Sequence, residues 1–146
     1  MILRTLDEFP IQVKLPVVWG ELDALNHVNN IWYFRYIETA RVKYFDETGL
    51  TEDIYRSGIG PVVMEAKCSF YQPLLYPDNI VSAARIKSIG NTSFVMEHLI
   101  VSEKLGVVAG GECVVVLFNS NTKQKAAISE QLKTAINKLE GDRSWD

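Results

Sequence analysis

The chain predicts an α+β fold, with one long helix laid against a five-stranded antiparallel sheet and a shorter helix at the C-terminal end. Three patterns lead there. Ile11, Val13, Leu15 and Val17 alternate with Gln12, Lys14 and Pro16, the period of two expected of a strand with one buried face. Tyr33, Phe34, Ile37, Ala40, Arg41, Tyr44 and Phe45 recur at spacings of three and four, which collects them on one broad helical face. Strand-length apolar runs then follow, divided by turn signals at Pro77 and Asp78, at Gly90 and Asn91, and at Gly106. Connections that short join antiparallel neighbours.

Taken in order, the first strand covers residues 11–17. The helix opens with Asn29 or Asn30 as its N-cap and stops at Thr48 and Gly49. Further strands are expected over residues 59–71, 79–88, 93–103 and 107–118. In the last of these, Val114 to Phe118 is apolar on both faces, as for a strand covered on each side. An amphipathic helix over residues 129–139, capped by Ser129, closes the chain. With no repeat, linker or low-complexity tract, residues 1–146 read as one domain.

At 146 residues and 47% hydrophobic, the chain has material for a sizeable core without metal or disulfide staples. Its net charge of −3 is spread over interspersed acids and bases, so no basic footprint for nucleic acid exists. The N-terminus lacks the apolar core of a signal peptide, and no segment reaches membrane-span length. Cys68 and Cys113 lie in separate apolar runs with no CxxC and no flanking histidine set, so they read as small buried hydrophobes, not metal ligands or a disulfide. A reducing, cytoplasmic setting is expected, with no membrane or nucleic-acid partner.

The chemistry-bearing stretch runs from Trp19 to Tyr33, where Asp23 precedes the run His27, Val28, Asn29, Asn30. First-turn amides of a helix have no intrahelical partner, and with the positive helix end they suit an oxyanion. A carboxylate shortly before them would orient water toward a carbonyl or attack it directly. Asp23 also suits a plain turn or capping role. His27 would either steer a substrate or bond the loop backbone. Asn29 and Asn30 shape the helix entrance. Trp19, Trp32, Tyr33 and Tyr36 would suit an aryl or medium aliphatic group, or simply fill a core. Glu38 and Arg41, one turn apart, suit a surface ion pair or a pair directed at a partner subunit. Glu65 and His98 rank behind Asp23 as functional groups, His98 reading as a residue of a sheet face.

The order of strand, acid, short polar turn, HVNN-like run and aromatic helix resembles the hotdog-fold acyl-CoA thioesterases of the 4-hydroxybenzoyl-CoA thioesterase type, and more distantly the plant acyl-ACP thioesterases. The likeness continues through residues 60–74, through Ser88 to Phe94 as the turn before a pantetheine-binding strand, and through Ala109 to Glu112 as a bent last strand. It spans roughly residues 10–140. Asn26 stands where the family commonly has glycine, Leu25 where the plant enzymes have an asparagine, and Pro77 and Asp78 where Gly-Asp is usual.

The resemblance implies a hotdog domain that hydrolyses an acyl-CoA thioester. Asp23 would be its catalytic Asp, as base or nucleophile, and the Asn30 amide its oxyanion donor, with His27 beside them. Asn29 and Tyr33 would line the substrate site, and Asn91 and Ser93 would contact pantetheine. It also implies a homodimer or homotetramer with active sites between subunits. Coenzyme A would enter as part of the substrate, and no cofactor or metal is called for. An acyl-ACP thioesterase and a non-hydrolytic acyl-thioester-binding protein are the rival readings.

Overall fold

A computed structural model describes residues 4–141; the expected domain of residues 1–146 extends past both ends of that range. The elements follow the predicted order. A 3₁₀ turn at Leu6–Glu8 precedes β1 (Ile11–Pro16), and a second at Trp19–Glu21 precedes α1 (Asn30–Thr48). Then come α2 (Leu50–Ser57), β2 (Ile59–Phe70), β3 (Asn79–Ile89), β4 (Ser93–Ser102), β5 (Gly106–Asn119), β6 (Gln124–Lys125) and α3 (Glu130–Glu140). Five strands pair antiparallel in the order β1-β3-β4-β5-β2, and two-residue β6 adds to β5.

Helix α1 forms where its signals are. Asn29 is the N-cap, its side chain accepting the Ile31 N–H at 3.1 Å, and Gly49 ends the helix at φ 82°, a left-handed conformation that costs glycine little. Ser129 caps α3 in the same way, accepting the Leu132 N–H at 3.1 Å. Two elements were not expected. Helix α2 starts directly at Gly49, with Glu52 and Asp53 in its first turn and Arg56 in its last. Strand β6 is too short for any periodicity to register.

α1 lies on one face of the sheet. At one end of it, Tyr44, Phe45, Ile86, Met96, Val115 and Leu117 pack with Leu132 and Ile136 of α3. At the other end, Tyr33, Tyr36 and Ile37 meet Val17, Val28, Leu74, Ile80 and Val108. The opposite face is partly covered by Phe9, which packs on Ala83 and Leu99. Within the run of β5 expected to be apolar on both faces, Val115 and Leu117 pack in the core with α1, and Val116 is buried as well.

Beneath α1, His98 is wholly buried. Its Nδ1 donates to Ala83 O at 3.3 Å, which leaves Nε2 to accept the Cys113 thiol at 3.5 Å. Burial, with the nearby Arg41 charge second, pushes His98 down to about 3. Arg41 Nη1 donates to Cys113 Sγ at 3.8 Å. This corrects the expected Glu38–Arg41 ion pair: Glu38 pairs with Arg35 at 3.1 Å, because the other side of the helix turns Arg41 toward β5. His98 does occupy a sheet face, as expected. Both cysteines are free, Cys113 buried and Cys68 half-buried. Among the described residues no helix is long and apolar enough to cross a membrane.

Candidate active site

The segment between β1 and α1 is a narrow loop pinned on several sides. Val17 N–H donates to Asp78 O at 2.9 Å as the chain leaves β1. Leu22 and Val28 form a bridge, flanked by Asp23 N–H to His27 O at 2.9 Å and Asn29 N–H to Glu21 O at 2.9 Å. Val28 N–H donates to Leu74 O at 2.9 Å, tying the loop to the segment after β2. Asn26 sits at the tip with φ 61°. That left-handed conformation explains how Asn stands where the related family has glycine, since asparagine tolerates it better than most residues.

Asp23 is half-buried. Its Oδ1 accepts the Leu25 N–H at 2.9 Å and the His27 N–H at 3.4 Å, so one carboxylate oxygen shapes the turn. Oδ2 takes part in neither bond. The turn reading and the chemical reading of Asp23 therefore share one side chain, with one oxygen assigned to each.

At the helix entrance, Asn29 Oδ1 takes the Ile31 N–H and Asn29 O takes the Trp32 N–H at 3.0 Å. The exposed Asn30 N–H takes part in no hydrogen bond among the described residues. It points from the positive end of a 19-residue helix, where an oxyanion is stabilised. His27 is half-buried beside Asp23. The loop thus brings together Asp23, His27, Asn29 and Asn30.

Other expected contacts lie elsewhere. Tyr33 is buried behind the entrance, its hydroxyl accepting the Leu74 N–H at 3.0 Å and its ring edge-on to Phe70 at 4.9 Å. Burial raises its phenol above the ordinary value. Asn91 and Ser93 are at the far end of the sheet, where Asn91 O accepts the Ile128 N–H at 2.8 Å and Ser93 O accepts the Gly90 N–H at 2.7 Å. The length of β3, roughly 30 Å by strand rise, separates them from Asp23 within one protomer.

One residue of the site carries no sequence pattern that ranks it. Glu21 is buried, and its Oε1 accepts the Tyr36 hydroxyl at 2.7 Å and the Val18 N–H at 2.8 Å. Burial first, and then the Glu21 carboxylate, raise the Tyr36 phenol. The available signal was Tyr36 itself: a tyrosine on the core face of a helix needs a buried partner for its hydroxyl. Around the loop, Trp19 and Leu25 stand 72% and 74% exposed, while Phe34 and Phe70 approach at 6.5 Å on the α1 face beyond Asn30. Among the described residues no group of three or more His, Cys, Asp and Glu could hold a metal ion.

Known proteins share this fold. A thioesterase from Thermus thermophilus, solved in complex with coenzyme A and Zn, superposes with a TM-score of 0.82 and 29% identity, covering 92% of this chain and 97% of that one. A gentisyl-coenzyme A thioesterase gives a TM-score of 0.75 and 25% identity over 86% of this chain and 98% of that one. The long-chain acyl-CoA thioesterase FadM of Escherichia coli (strain K12) is 22% identical over 130 residues, 88% of this chain and 98% of that protein. The model of the thioesterase-like superfamily matches residues 17–136, and the chain belongs to that superfamily.

Proposed function

We propose that the protein hydrolyses acyl-coenzyme A thioesters to a free acid and coenzyme A. The observation that carries this reading is the Asn30 amide at the head of α1, which takes part in no hydrogen bond among the described residues, next to a pinned loop that presents the Asp23 carboxylate. A thioester carbonyl placed at that amide develops negative charge on oxygen as it is attacked, and the helix end offsets it. Asp23 then either takes a proton from the attacking water or attacks the carbonyl itself, giving a mixed anhydride that water opens. In both routes the C–S bond breaks and coenzyme A leaves as the thiol. Asn29 holds the helix entrance open, and His27 steers the substrate beside Asp23.

The working unit in this reading is a homodimer, with a tetramer as a further assembly. β2 is a sheet edge, paired on one side by β5 alone, and it exposes Val62, Val63, Met64 and Phe70. Two copies joined antiparallel along β2 would set the Asn91 end of one protomer beside the Asp23 end of the other. Asn91 and Ser93 would then meet pantetheine across the subunit boundary. Two free cysteines suit a cytoplasmic setting.

The test is a thiol-release assay over benzoyl-, phenylacetyl-, short, medium and long acyl-coenzyme A, with Asp23→Asn run beside the wild type. Turnover of some member that falls at least roughly 100-fold in the variant is expected. Release only from carrier-protein thioesters would move the substrate to acyl-ACP. No release from either would leave a binding protein.

A further inference from the structure

We infer that Glu21 and Tyr36 are positioning residues of the active site: their buried hydrogen bond sets where the Asp23 loop stands relative to the Asn30 amide. This rests on the thioesterase reading for its kinetic consequence, though not for its structural one.

Glu21 makes contacts in three directions. Its main-chain O accepts the Asn29 N–H at 2.9 Å, which fixes the residue that caps α1. Oε1 accepts the Val18 N–H at 2.8 Å, which closes the 3₁₀ turn where the chain leaves β1. The same oxygen accepts the Tyr36 hydroxyl at 2.7 Å, which ties the loop to the body of the helix. Tyr36 is anchored from its other side, because its main-chain O accepts the Ser82 hydroxyl of β3 at 2.7 Å. The path from sheet to Asp23 therefore runs Ser82, Tyr36, Glu21, and then the loop ladder. Glu21 is buried, and its Oε1 holds the Val18 N–H and the Tyr36 hydroxyl, so its contribution is to the placement of Asp23. A loop bearing a carboxylate and a helix bearing an amide must agree to a fraction of an ångström for attack on one carbonyl, and a misplacement of about 1 Å costs on the order of 100-fold in rate.

The helix carries its own control. Farther along α1, Tyr44 donates to Glu140 Oε2 of α3 at 2.6 Å, and that oxygen also accepts the Ile86 N–H at 2.9 Å. Both tyrosines are buried on the core face of α1 and both hydroxyls end on a buried glutamate. Only the Tyr36 pair touches the loop that holds Asp23. Removing either hydroxyl deletes a buried bond to a glutamate, but only the loss at Tyr36 falls on the loop that holds Asp23.

The experiment compares Tyr36→Phe and Tyr44→Phe in the full-length protein, with amide hydrogen exchange and steady-state kinetics on the preferred acyl-coenzyme A. Tyr36→Phe is expected to speed exchange at the Asp23, His27 and Asn29 amides by about tenfold or more, while Tyr44→Phe leaves them unchanged. Tyr36→Phe is also expected to lower kcat roughly 10- to 100-fold with KM within about threefold, and Tyr44→Phe to keep wild-type kcat. Glu21→Gln, which keeps an oxygen acceptor, should fall between wild type and Tyr36→Phe. Equal loss of kcat in both tyrosine variants, or loop exchange that Tyr36→Phe does not change, would overturn the inference. A wild type that turns over no thioester removes the reaction but not the test, because the exchange pattern still decides whether this pair holds the loop.

Discussion

Single residues in this protein carry more than one duty. Asp23 gives one oxygen to Leu25 and His27 N–H groups and keeps the other out of the turn. Asn29 caps the helix, and its removal has a definite cost: Asn29→Ala should lower stability by about 1 kcal/mol, read by chemical denaturation, and should weaken turnover because Asn30 then frays. His98 makes a pH prediction. Burial holds it near 3 in the folded protein against 6.5 ordinarily. The unfolded chain takes up a proton below about pH 6.5 while the folded chain does not, so native stability is full above that pH and is lost as pH falls toward 3. The slope comes from the one proton that only the unfolded chain binds in that window. Thermal unfolding of the wild type should therefore drop more steeply from pH 6.5 to 4 than that of His98→Leu; parallel curves would refute the assignment.

At the scale of elements, α1 is held to the sheet by close approach as much as by apolar contact. Gly111 of β5 has no room for a side chain, since a Cβ there would stand 2.6 Å from Lys67 O and 3.1 Å from Ile37 Cδ1. Gly111→Ala is expected to destabilise by roughly 1–3 kcal/mol, because backbone on one side and helix on the other must both move; a wild-type melting temperature would show that the strand yields freely. On the other face a register row crosses four strands, with Lys67 opposite Glu112, Glu112 opposite Glu97 and Glu97 opposite Arg85. The two facing glutamates are offset by Lys87 at 3.1 Å from Glu112 and by Arg4 at 3.3 Å and Arg85 at 3.6 Å from Glu97. In this row like charges opposite one another are tolerated because each has a cation beside it.

At the scale of the whole molecule, the proposed site is divided. The Asp23 loop and the Asn91 turn sit at opposite ends of the sheet, and the β2 edge leaves Met64 62% exposed at a break in the β2–β5 register. An apolar, unpaired edge strand is a surface that pairs. Met64→Lys places a charge in the proposed seam; sedimentation velocity should show the dimer giving way to monomer, with thioesterase activity lost alongside it. A dimer of wild-type affinity in that variant would move the interface off β2.

The elements that rest on short-range patterns were legible in the chain itself. The alternation from Ile11 to Val17, the three-and-four spacing on α1, the Asn29 and Ser129 caps and the Gly49 stop all act within a few residues, so the backbone period and the nearest hydrogen bonds decide them. The acid Asp23 before a polar run that opens a helix was legible for the same reason, whereas the ladder of the loop that carries them was not read from the chain. What the tertiary structure alone decided depends on partners far apart in sequence: Glu21 finding Tyr36, Arg41 turning from Glu38 to Cys113, and His98 neutral beneath the helix. It also set Asn91 and Ser93 a sheet's length from Asp23. Those pairings follow from strand register and helix placement, which bring side chains together only once the whole sheet has closed on α1, and no window of sequence carries them.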